Sequence, residues 1–164
     1  LGWIVDTIKD FGPPVAWIVA VCGFLYNNHT ANHREKRKEF RSEIDAIEKV
    51  LKELVSKLNS YYKTEERDDV AKALEIDIKV FFRELDLKWD RIQRRQTGGT
   101  LGLLIDPCAQ CLEDLYDHST GTYFETADRL PRDQRGEFVQ EIYVRALLFT
   151  EALHSLFLKK FDGI

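Results

Sequence analysis

At 164 residues the chain reads as one small domain and its anchor. A formal charge of −4 and an isoelectric point near 5.6 argue against a protein built to coat nucleic acid. Three cysteines, odd in number and without a paired pattern, fit a reducing compartment and not a disulfide framework. There is no internal repeat, no low-complexity tract and no alternating run long enough for a sheet, so the fold class is all-α.

In chain order, residues 1–10 place Trp3, Ile4 and Ile8 at helical spacing against Asp6, Lys9 and Asp10, the pattern of an interfacial segment. Phe11 to Tyr26, FGPPVAWIVAVCGFLY, organises the rest. It carries no formal charge, and Pro13 and Pro14 sit where a helix would start. Trp17 and Tyr26 suit the two membrane interfaces, with the polar collar Asn27, Asn28, His29 and His33 beyond. The basic girdle Arg34, Lys36, Arg37, Lys38 and Arg41 follows. Residues 11–33 therefore read as a short transmembrane helix and its collar, and residues 34–164 as a cytoplasmic helical bundle. Positive-inside logic puts the N-terminus outside. A signal peptide fits less well, because its basic residues should precede the apolar region.

Past the girdle, Phe40, Ile44, Ile47, Leu51, Leu54, Leu58 and Tyr61 are spaced 4, 3, 4, 3, 4, 3, a heptad seam. The same phase read backwards passes through Gly23, Val19 and Ala16. One long, coiled-coil-like first helix is thus predicted, with small residues that permit close approach of spans in lipid. Ala16, Val19, Gly23, Ile44, Leu51 and Leu58 mark the candidate oligomer seam. The alternative is that the cytoplasmic half packs only within its own bundle.

Thr64, followed by Glu65 and Glu66, reads as the start of a second helix over 65–95. Its seam is Ala71, Leu74, Ile78, Phe81, Leu85 and Ile92, widened by Val70, Phe82 and Trp89. QTGGTLGL at 96–103 is a loop; it lacks the Gly-Lys-Ser/Thr ending of a phosphate loop. Asp106 and Pro107 read as the cap and first position of a third helix running to His118. A short helix is predicted after Gly121, carrying Tyr123, Phe124, Ala127 and Leu130. The last helix, 134–161, has its seam at Val139, Ile142, Ala146, Phe149, Leu153 and Leu156. Phe138, Tyr143, Leu148, Phe157 and Leu158 lie off it, so this helix is either central to the bundle or shared with another subunit.

No motif supports catalysis. Cys108 and Cys111, with His118 seven residues on, lack a second cysteine pair for zinc, and they fall on the apolar face with Leu112 and Leu115. A thiol near a helix start would have a lowered pKa, the alternative to a buried structural role. Glu151 and His154 have the Glu-x-x-His spacing of di-iron bundles but no second copy. Arg145 and His154 are too far apart for the Arg-to-His spacing of RNA-cleaving bundles. No cofactor, metal or catalytic residue is therefore assigned.

The opening FGPPVAW, the pair Asn27-Asn28, and NHREKRKEFR with its heptad helix resemble uncharacterised single-pass membrane proteins of bacterial genomes, over residues 2–50. The resemblance implies a bacterial inner-membrane protein and brings no activity with it. The general plan is also similar to membrane-anchored accessory proteins of bacterial antiviral systems, some of which assemble into pores. The expectation is an oligomeric membrane protein, a pore or depolarising effector, with the collar lining a wet funnel. The alternatives are a tethered adaptor for a cytoplasmic protein, or a degenerate bundle-type ribonuclease.

Overall fold

The structure, a computed structural model, describes the backbone of residues 2–95 and 102–161, and the side chains of residues 17–95 and 105–161. Four helices follow one another: α1 Gly2–Lys63, α2 Asp69–Arg94, α3 Gly102–Ser119 and α4 Arg135–Phe161. Among the described residues there is no strand. The chain divides into two units, Leu1–Glu39 and Phe40–Ile164.

The second unit is an up-down-up-down bundle of the C-terminal half of α1 with α2, α3 and α4. Lys57 meets Asp77 and Glu43 meets Arg95, which sets α1 and α2 antiparallel. Phe82 packs on Tyr116 between α2 and α3, and His118 stacks on Phe138 between α3 and α4. Tyr62 on Phe138 and Phe40 on Phe161, at opposite ends, close α4 back onto α1.

Every position of the α1 heptad seam from Phe40 to Tyr61 is buried in this unit. So are Ile142, Ala146, Phe149, Leu153 and Leu156 of α4, with Val139 half-buried. On α2 the apolar face is turned slightly from its heptad. Phe82 and Trp89 are buried, whereas Leu74 and Phe81 are partly exposed.

Four boundaries differ from the sequence expectation. Helix α1 is already helical from Gly2, so Pro13 and Pro14 do not start it. Thr64 ends α1 and does not begin α2. Its N–H and its hydroxyl both donate to the Tyr61 carbonyl, at 3.2 and 2.6 Å. The cap of α2 is Asp68, whose Oδ1 accepts from the Ala71 N–H at 2.8 Å.

Helix α3 starts at Gly102, leaving Asp106 and Pro107 inside it. Extending it back brings Ile105 onto the face shared by Cys108, Ala109 and Leu112, and that packing offsets the ladder bond lost at Pro107. The predicted loop 96–103 lies outside the described residues up to residue 101. Residues 120–134 form no helix. Phe124 and Leu130 are buried directly from turns, and Glu125 adopts φ 58°, the left-handed region.

Candidate interaction surfaces

The long connection between α3 and α4 is held by a polar clasp at the end of α1. The Tyr61 hydroxyl donates to Glu75 Oε1 at 3.0 Å and accepts from the Glu125 N–H at 3.0 Å. Arg67 grips the same buried carboxylate with both arms, at 2.9 and 2.8 Å. Arg67 holds the Glu75 carboxyl below its ordinary range; burial opposes this and Tyr61 assists. The Arg129 guanidinium lies 4.3 Å over the Tyr61 ring and donates to the Tyr61 carbonyl at 2.6 Å. Arg135 donates to the carbonyls of Leu130 and Lys63 at 2.9 and 3.3 Å. These cations thus cap the open carbonyls of the α1 C-terminus. The arrangement holds a loop, although Arg129 Nη1 is buried there without a hydrogen-bond partner.

The candidate chemical residues do not converge. Cys108 is buried on the core face of α3, and burial pushes its thiol up to about 12. The lowered value allowed for a thiol near a helix start is not found, because α3 begins six residues earlier. Cys111 is also raised by burial, and Cys22 is exposed.

His154 Nδ1 lies 3.1 Å from Arg41 Nη1, and its Nε2 lies 2.7 Å from Glu48 Oε1. A guanidinium only donates, so Nδ1 accepts and Nε2–H donates to Glu48. Both ring nitrogens are engaged, and His154 is a cross-tie between α1 and α4 with no lone pair left for a metal. Arg145 pairs instead with Glu141 at 3.1 Å, beside His118. Burial, followed by the Arg145 charge, lowers the His118 pKa. Among the described residues no three His, Cys, Asp or Glu side chains are placed to hold a metal ion.

Besides Ile76, Val80 and Leu87, which are exposed on α2, two uncovered apolar surfaces remain among the described residues. In the first unit every residue from Trp17 to Tyr26 is exposed, including Trp17, Ile18, Val19, Phe24 and Leu25. A Cβ added at Gly23 meets nothing within 4 Å. The Asn27, Asn28, His29 and His33 side chains are exposed, and the two imidazoles meet edge to face at 4.8 Å. Arg34, Lys36, Arg37 and Lys38 of the girdle are exposed as well, while Arg41 belongs to the bundle and bridges His154 and Asp45. The side chains of the interfacial segment, of Pro13, Pro14 and of Ala16 lie outside the described residues. Among the described residues no helix is long and apolar enough to cross a membrane.

The second surface is on the bundle. A groove of about 450 Å³ runs between α1 and α4, floored by Leu51, Val55 and Ala146 and walled by Val144 and Leu147. Tyr143, Val144, Leu147 and Leu148 are each about half exposed, 49–58%. The off-seam residues Tyr143 and Leu148 were the sequence signal for this face. Ile44, Leu51 and Leu58, by contrast, face the chain's own core, so a contact made by the bundle falls on other residues.

Compared with family models, curated proteins and solved structures, the chain matches none.

Proposed function

We propose that the chain is a membrane-anchored helical module that self-associates and presents its bundle as a docking body. The exposed Trp17–Tyr26 stretch carries this reading. At about 100° per residue, its large apolar side chains point in every direction except one stripe of about a third of the circumference. Ala20, Gly23 and Asn27 fall in that stripe. A helix apolar all round belongs in lipid or among other apolar helices. The bulky sides suit lipid, and the small stripe suits a second helix at close range. The asymmetric girdle after it supports a bacterial inner-membrane location with the bundle in the cytoplasm.

The polar collar supports an interface band better than a pore lining. Asn27, Asn28, His29 and His33 spread around the helix, whereas a conducting face would gather its polar groups on one side. A depolarising antiviral effector therefore draws support from general architecture alone. The second reading is a tether that recruits a different protein, favoured by the open α1–α4 groove.

The test is extraction of membranes with alkaline carbonate, with a C-terminal reporter for orientation. The protein should stay with the membrane and the reporter should report cytoplasm. Release into the supernatant would overturn the anchor, and a periplasmic reporter would overturn the orientation. Gly23→Leu should lower the mass of the solubilised particle without loss of helical dichroism. An unchanged mass would remove the stripe as a contact.

A further inference from the structure

We propose that the α1–α4 face of the bundle is a homodimer interface, closed by Lys52 of each copy against Glu151 of the other. The proposal rests on the self-association in the reading above, but uses a different surface, the bundle instead of the span.

Tyr143, Val144, Leu147 and Leu148 form one continuous half-exposed patch on α4, beside Val55 of α1 at the groove. Helix α4 already buries Ile142, Phe149, Leu153 and Leu156 against its own bundle, so this patch is surplus to the fold. Such a surplus on a helix edge is the mark of a partner helix.

Charge decides which partner. Lys52 lies on the α1 side of the groove and Glu151 is exposed on α4. Neither has a partner within the chain among the described residues. Glu48 meets His154, and Tyr62 meets Phe138, so the two helices are antiparallel and Lys52 lies level with residues 148–151.

A two-fold axis running along the groove lays α1 of one copy over α4 of the other at the same level. Lys52 then faces the partner's Glu151, twice by symmetry. Val55 faces the partner's Leu147 and Leu148. The same axis leaves the Phe40 ends of both bundles pointing the same way, as two chains anchored in one membrane require. An axis across the groove would pair α1 with α1 and point those ends oppositely. The face is thus complementary to itself in charge, in apolar content and in direction.

The experiment uses the full chain in mild detergent, in the Gly23→Leu background, with mass read by sedimentation. The Gly23→Leu chain should be lighter than the native assembly but still a dimer. Lys52→Glu and Glu151→Lys each place like charges at both contacts, and each should weaken the dimer by roughly ten-fold or more. An equimolar mixture of the two restores opposite charges at both contacts and should recover the parent mass. Leu147→Glu should give monomer that no mixture rescues, with helical dichroism unchanged in all variants. A monomeric Gly23→Leu chain, unaltered charge variants, or a mixture no heavier than its components would overturn this interface. Mass and membrane association of the native chain, read separately, report on the broader reading.

Discussion

Tyr61→Phe tests the clasp with one atom. The ring is fully buried and keeps its packing on Tyr62 and Phe124, so only the hydroxyl is lost. That hydroxyl donates to an ionised carboxylate and accepts from the Glu125 N–H. A bond to a charged group contributes about 2 kcal/mol, and a half-buried amide left without a partner costs about 1 more. Glu75 keeps both bonds from Arg67, which limits the damage. The expected loss is about 2–3 kcal/mol. Tyr62→Phe is the comparison: it removes one neutral bond to the buried Ser119 carbonyl and leaves that acceptor open, worth about 1–2 kcal/mol together. Urea unfolding of both variants in one detergent, followed by helical dichroism, gives the two values. Proteolysis within residues 120–134 should also rise in Tyr61→Phe alone. A Tyr61→Phe cost no larger than that of Tyr62→Phe would refute the view that this hydroxyl ties the loop to the bundle.

Glu75→Gln should cost about 2 kcal/mol at neutral pH and flatten the acid limb of the stability profile. The Glu75 carboxyl is held below 4.5, so its contribution is complete above that value and is lost as pH falls through the lower folded value. Cys108 should resist thiol reagents at pH 8 until the bundle unfolds, and Cys108→Ala should cost about 1–2 kcal/mol through lost packing; rapid labelling in the folded state would contradict its burial. His118 is held below 6.5, so the unfolded chain takes up its proton first and stability falls as pH drops through 6.5. His118→Phe keeps the stack on Phe138 and should show a shallower decline between pH 7.5 and 5.5.

What the sequence made legible was periodic. The 4-3 spacing from Phe40 to Tyr61 located every buried position of that seam, because one face of a helix meets one core. The α4 seam was legible for the same reason. Contacts between distant residues were not. Glu75 sits on the buried face of α2, and its acceptability depends on Arg67 in the preceding loop and on Tyr61 in another helix. Thr64 followed by two glutamates looked like a helix start, but Asp68 four residues later is the cap that forms. The turns at 120–134 replaced an expected helix because their polar groups find Tyr61 and Lys79 on other helices. His154 looked like half of a metal motif, and its partners Arg41 and Glu48 lie more than a hundred residues away in sequence.

The two uncovered surfaces bear on one another. The groove between α1 and α4 is modest, and two rim ion pairs add little in water, where exposed pairs contribute about 0–1 kcal/mol each. Alone, such a face gives a dimer whose population falls on dilution. On the proposed anchoring, chains held in one membrane would meet at an effective concentration of about millimolar, and the docking step would become nearly intramolecular. On that proposal the apolar run and the α4 patch would be two parts of one device, the first supplying concentration and the second register through Lys52 and Glu151. The division also separates their responses to salt. Rim charges are screened within about 10 Å at 0.1 M ionic strength, while contacts between apolar helices in lipid are not. Raising salt should therefore weaken the bundle contact by no more than the small share of its rim pairs and leave the span contact in place.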